Sequence, residues 1–155
     1  MGIRYLNTYM KNKCNNGIKT MQIKELSGCS LAIDISIYMY RYEMEDKLIE
    51  NMVSLINILL SCNINPVFVF DGKPPTCKDS ELQKRQAIKT SMKEKANDTS
   101  LPIFDRILAS EKVQSIPNGH DYQAVKSWLT SNNIMWMIAD GDAEKMCAKL
   151  TMDGK

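Results

Sequence analysis

Histidine is nearly missing from this chain, with His120 as its single copy, and the five cysteines (Cys14, Cys29, Cys62, Cys77, Cys147) are scattered without a C-x-x-C pair. That argues against a zinc site and against a disulfide framework, so the thiols are expected to be reduced. No apolar run approaches the roughly 20 residues needed to cross a bilayer, and the opening MGIRYLNTYMKNK carries no signal-peptide apolar stretch. Leu6 stands where a myristoylation pattern wants Ser or Thr, so no lipid anchor is expected. An intracellular protein with no membrane partner is the resulting expectation. Only 7 Gly and 5 Pro are present, with no internal repeat or low-complexity tract.

What is there is the composition of a globular domain: 155 residues, 44% hydrophobic and 25% charged. The net charge of +2 conceals a segregation. Residues 1–33 carry five basic and one acidic side chain, residues 34–71 two basic and six acidic, and residues 73–95 seven basic and three acidic. An acidic block between basic ones is either a set of solvated helix faces or a metal site beside a polyanion-binding surface.

Ile3, Leu6 and Met10 recur at helical spacing until Asn15-Asn16-Gly17 ends the pattern. Ser30 to Ile35 reads as a short strand buried on both faces, with Asp34 at its far end. Apolar positions from Leu48 to Leu60 form one face of a helix, stopped by Asn63 and Asn65-Pro66, before a second buried strand, Val67 to Phe70, that runs into Asp71. A polar helix follows from Lys78 to about Asn97. Residues 98–118 read as a connection with little pattern, Tyr122 to Leu129 as a helix, Ile134 to Ile138 as a third strand, and Asp142 to Met152 as a closing helix. Strands alternating with helices predict an α/β fold with a parallel sheet.

Ligands bind at the carboxyl edge of such a sheet, and Asp34, Asp71, and Asp142 with Glu144 all fall there. Each acid also has an ordinary structural explanation. Asp34 can cap a helix, Asp71-Gly72 can form a turn, and Asp142 and Glu144 can complement a helix dipole. Together they favour a cation, because several carboxylates gathered without one repel each other at a cost of several kcal/mol. Oxygen donors with no His or Cys among them suit Mg²⁺ or Mn²⁺. Beside the acids lies the turn Gly72-Lys73-Pro74-Pro75, then Lys78 and Arg85 seven residues apart on one helix face, with Lys89 close to it. Tyr38 and Tyr42 are four apart, whereas Tyr40 projects elsewhere and is free to be core or a base-stacking surface.

These pieces resemble the flap endonuclease / XPG family of structure-specific nucleases. The matching stretches are Met1-Gly2-Ile3 with Leu6, Leu31 to Ser36 with Tyr40, Val67 to Pro75 with Lys78, Glu81-Leu82 and Lys84-Arg85, and Ala139 to Glu144 with Cys147-Ala148 and Leu150. FVFDGKPP is the specific signal, and the order and spacing hold along nearly the whole chain. The resemblance implies a PIN-like 5′ nuclease core, a parallel sheet with helices on both faces. It implies a nuclease N-terminal region at 1–97, a short arch or gateway connection at 98–118, and the beginning of the internal region at 119–155.

It further implies structure-specific cleavage of flap or branched DNA in replication and repair, by two-metal phosphodiester hydrolysis with Mg²⁺, or Mn²⁺ in its place. Asp34, Asp71, Asp142 and Glu144 would be metal-site carboxylates, and Lys78 and Arg85 would engage the scissile phosphate. Gly2, Tyr40, Lys73 and Lys89 would contact DNA, Tyr40 by stacking on a base. Asp142 stands where the family commonly has Glu. Family members continue past the last strand found here with an Asp-x-Asp pair, a further metal-site Asp and a helical DNA-binding motif. The expected alternative is therefore a non-catalytic fragment that binds DNA or a partner. A sliding clamp would be engaged through a C-terminal part beyond this chain, and the nucleus or another site of DNA replication is the expected location. A phosphatase-like hydrolase with Asp34 as nucleophile would explain one strand-end acid but not FVFDGKPP.

Overall fold

The computed structural model describes residues 5–14, 17–73 and 79–154, except for the side chains of residues 7, 79–82 and 85. Helix α1 (Leu6–Lys13) precedes a 3-10 turn at Ile23–Leu26 and strand β1 (Ser30–Asp34). Then follow α2 (Ile35–Met44), α3 (Leu48–Ser61), β2 (Asn65–Phe70), α4 (Asp79–Asn97), α5 (Ile103–Gln114), α6 (Gly119–Ser131), β3 (Met135–Ile138) and α7 (Ala143–Met152). The three strands form one parallel sheet in the order β1-β2-β3. The α/β parallel sheet expected from the sequence is the observed fold.

Register explains why the strands read as continuous apolar runs. Ile33 pairs with Phe68 and Phe68 with Trp136, so the three lie in one row across the sheet. Ile33, Phe68 and Phe70 join Met39, Met52, Ile56, Leu59, Val125 and Leu129 in the main core, formed with α2, α3 and α6. The alternate residues Val69 and Met137 turn to the other face and pack with Ala143, Met146, Cys147 and Leu150 of α7. Helices therefore cover both faces, and a strand buried on both sides has no reason to alternate polar with apolar residues.

Two junctions between helix and strand are built alike. After α3, Asn63 takes the left-handed conformation at φ 57°, and the N–H of Ile64 donates to the Leu59 carbonyl at 3.0 Å. After α6, Asn133 does the same at φ 57°, and the N–H of Ile134 donates to the Leu129 carbonyl at 2.9 Å. This is the Schellman arrangement, with asparagine in the place glycine usually takes. Asn tolerates that conformation better than other residues with a Cβ. Helix α6 starts as cleanly: the Asn118 side chain accepts from the N–H groups of His120 and Asp121, while Asp121 accepts from the N–H of Asn118.

One expectation fails. Residues 103–114, read as part of a patternless connection, form helix α5, which packs against α4. Its helical spacing is present in Ile103, Ile107 and Phe104, Leu108, but these side chains are largely exposed, Ile103 at 73% and Phe104 at 66%. A helix that leaves much of its apolar stripe outside the core does not show the usual two-faced pattern. Helix α2 starts where Asp34 was expected to be able to cap a helix, although Ile-Ser-Ile-Tyr-Met-Tyr alternates apolar and polar residues as a strand would.

Phe68 is fully buried at the centre of the sheet. Phe68→Ala is expected to cost about 3–5 kcal/mol, read as a fall in the denaturant midpoint at unchanged slope. A loss under about 1 kcal/mol would contradict this placement of the core.

Candidate metal centre at the carboxyl edge of the sheet

Asp34 is the last residue of β1 and the N-cap of α2, where its Oδ1 accepts from the N–H of Ser36 at 2.9 Å. The ordinary capping role is therefore real, and it holds the carboxylate at the strand end. Alternation along β1 turns Asp34 to the side opposite Ile33, the side that α7 covers. Asp71 follows β2 directly. Its Oδ2 accepts from the Ser36 hydroxyl at 2.7 Å and its Oδ1 from the N–H of Ala143 at 2.9 Å. One carboxylate thus ties the end of β2 to the starts of α2 and α7.

The second of those bonds fills a gap. Asp142 is the N-cap of α7 by position, yet its side chain makes no cap hydrogen bond there. Its Oδ2 instead lies 3.9 Å from Lys145 Nζ. Asp71, 72 residues earlier in the chain than Ala143, supplies the acceptor to the first turn. A negative charge is favoured at that point by the helix dipole as well as by the orphan N–H.

Gly72 makes the close approach possible. Its N–H donates to the Gly141 carbonyl at 2.8 Å, and a Cβ on it would stand 1.8 Å from the Ala139 carbonyl oxygen. The glycine in the FDGK stretch is thus required by the backbone of the β3 exit passing against that of the β2 exit. Lys73 is exposed immediately after it.

The acids interact as charges. Burial raises the Asp34 carboxyl above the ordinary range, the Ser36 N–H partly offsets this, and the charges of Asp71 and Glu144 raise it further. Cys147, one turn into α7, is pushed up by burial and then by Asp34, Asp71 and Glu144. On the other side, burial first and then Tyr40 raise the Tyr122 phenol, the nearby Ser36 hydroxyl partly offsets this, and Asp71 and Asp34 add to the rise. Among the described residues, no three acidic, cysteine or histidine side chains form a ready-made set for one ion.

The predicted site residues thus divide. Asp34, Asp71 and Glu144 come within electrostatic reach of one another, with Asp142 at the start of α7 beside them. Tyr40 is 42% exposed, whereas the Tyr38 and Tyr42 rings meet at a tilt with centroids 5.8 Å apart and pack on the core. Lys89 is half-buried on α4. Gly2 and Lys78 lie outside the described residues, as does the side chain of Arg85 on α4. Ser36, Ala143, Tyr122 and Cys147 were not foreseen as members of the site. Only Ser36 carried any signal, through its place directly after Asp34-Ile35.

Gly72→Ala is expected to cost about 3 kcal/mol, at the top of the range for overpacking, because backbone rather than a flexible side chain blocks the new methyl. A thermal midpoint within a degree of the parent would contradict it. Asp34 gives a pH test in metal-free protein. Its folded pKa is raised, so its ionisation opposes folding, and that penalty appears as pH rises through and above the ordinary carboxylate range. Asp34→Asn keeps the oxygen that accepts from Ser36. It should stabilise the metal-free protein at pH 7 by a few tenths of a kcal/mol after solvent screening, a gain that vanishes near about pH 3.5. Thermal melts at the two pH values check the sign.

The XPG N-terminal domain model matches residues 1–92. Flap endonuclease 1 of Debaryomyces hansenii is 30% identical over 176 residues, which take in all of this chain and 45% of that protein. Flap endonuclease 1 of Caenorhabditis briggsae is 30% identical over 177 residues, again 45% of its length. The chain spans less than half the length of these curated relatives. Among solved structures, the catalytic core of Rad2 in complex with DNA substrate superposes with a TM-score of 0.65 at 20% identity, over 97% of this chain and 41% of that one. Human GEN1 in complex with Holliday junction DNA gives 0.60 at 18% identity, over 99% and 34%. The fold is shared with these cores, and the family that FVFDGKPP pointed to is the one matched: the chain belongs to the flap endonuclease / XPG family and carries its N-terminal domain.

Proposed function

We propose that this chain is the N-terminal catalytic part of a divalent-cation-dependent nuclease that hydrolyses phosphodiesters in flap or branched DNA. The observation that carries the reading is the convergence of Asp34, Asp71 and Glu144 from separate elements on one sheet edge, with Asp71 held by two hydrogen bonds. The donor chemistry fits a hard cation: the groups are carboxylates, burial and then the charges of Asp71 and Glu144 raise the cost of ionising Asp34, and Asp71 keeps a lone pair on each oxygen beyond its two bonds. Asp34, Asp71, Asp142 and Glu144 would hold Mg²⁺ or Mn²⁺. When bound there, a pair of such ions would activate water and neutralise charge on the leaving oxygen.

The chain's own residues do the rest. Lys78 and Arg85 hold the scissile phosphate, where a single donor aimed at developing charge is typically worth about 3 kcal/mol. Lys73 and Lys89 neutralise neighbouring phosphates, and Gly2 contacts the strand near the cut. Tyr40, exposed beside Tyr122 at the rim, stacks on an unpaired base. The α4–α5 hairpin stands in the region where the resemblance puts a gateway over a threaded strand. Replication and repair of DNA, in the nucleus or wherever that DNA is kept, is the setting, with a sliding clamp bound through a C-terminal part. Among the described residues no helix is long and apolar enough to cross a membrane.

The test is incubation of a flap-bearing duplex with Mg²⁺, using this chain and any longer product of its gene. Cleavage is expected from the longer form. Asp71→Asn in that form should abolish cleavage, a loss of at least 10³-fold on the order expected for a lost charge-stabilising group, while circular dichroism stays native. Mg²⁺-dependent cleavage retained in Asp71→Asn would refute the assignment. DNA binding without cleavage by either form would put the non-catalytic reading ahead.

A further inference from the structure

Among the described residues, Ser36 is the one that hydrogen-bonds both strand-end aspartates. Its N–H donates to Asp34 Oδ1 at 2.9 Å and its hydroxyl to Asp71 Oδ2 at 2.7 Å. The second Asp71 oxygen accepts from the Ala143 N–H at 2.9 Å.

We propose that Ser36 is the positioning residue of this centre, fixing the rotamers of Asp34 and Asp71 so that their free lone pairs face a common divalent cation. The inference rests on the cation reading of the acids and adds the residue that aims them. Without the hydroxyl, Asp71 keeps only the Ala143 N–H, and its carboxylate is free to pivot about that single bond. The serine bonds two acids that repel each other, so it offsets part of that repulsion before any cation arrives. Ser36 itself lends no oxygen to the ion. Its effect passes through Asp34 and Asp71, as for outer partners that orient metal ligands.

Mn²⁺ provides a direct readout, because the free ion gives a strong paramagnetic resonance signal that disappears on binding. Titration of the full chain with MnCl₂ is expected to show binding, weakened by about 10-fold or more in Ser36→Ala and restored to within about threefold of the parent in Ser36→Thr. In metal-free protein, exchange of the Ala143 amide should speed up by about 10-fold in Ser36→Ala but not in Ser36→Thr, reporting release of the Asp71 carboxylate. Ser36→Cys, close to serine in size but a far weaker donor, should weaken Mn²⁺ by about two- to fivefold, and it serves if Ser36→Ala does not fold. Mn²⁺ affinity within twofold of the parent in both Ser36→Ala and Ser36→Cys would overturn the positioning role and leave the cation reading intact. No Mn²⁺ binding by the parent at millimolar concentration would overturn the cation reading, and this inference with it.

Discussion

The Asp71 carboxylate, accepting from the Ser36 hydroxyl on one oxygen and the Ala143 amide on the other, is where three separate stretches of chain meet. A hydrogen bond to an ionised acceptor is about twice as strong as a neutral one, and here one group makes two of them across 35 and 72 residues of sequence. The Ala143 contact requires the β2 and β3 exits to run against each other, which Gly72 permits by having no side chain. The parallel sheet delivers the acid to this edge, the glycine lets the neighbouring backbone close in, and the acid then caps a helix that its own N-cap side chain leaves uncapped. Fold and site are the same construction at this point.

Electrostatics pulls the other way. The arrangement that organises the edge also buries Asp34, which disfavours its ionisation, and sets it within reach of the charges of Asp71 and Glu144. Tyr122 and Cys147, on opposite sides of the cluster, have pKa values raised first by burial and in smaller part by the same acids. Of the acidic block, Asp34 and Asp71 lie at the carboxyl edge, while basic residues that follow Gly72 extend along α4.

Much of this was legible beforehand because strand ends and helix stops are local. Val67 to Phe70 followed by Asp71 could only be a buried strand ending in an acid, and Asn63 announced the end of α3. The Asp34 and Asp71 positions were read from that pattern and from the family's FVFDGKPP stretch. The partners of those acids were not legible, since nothing in Ser36 or Ala143 marks them as meeting residue 71. That meeting depends on which strand lies beside which. Helix α5 is a different case: Ile103, Phe104, Ile107 and Leu108 carry the helical spacing against Asp105, Arg106, Ser110 and Glu111, but the apolar stripe is short.

The matched junctions at Asn63 and Asn133 bear on how this fold can change over time. Each stops its helix at a fixed turn and starts the next strand two residues later, so the junction acts as the zero mark from which the acid at the strand's end is counted. A single residue added between Asn63 and Asp71 would move the acid along by about 3.3 Å and turn it to the opposite face of the sheet. Descendants of this sequence can lengthen or shorten the α4–α5 hairpin far more freely than that eight-residue interval, whose length is held constant by the chemistry at its far end.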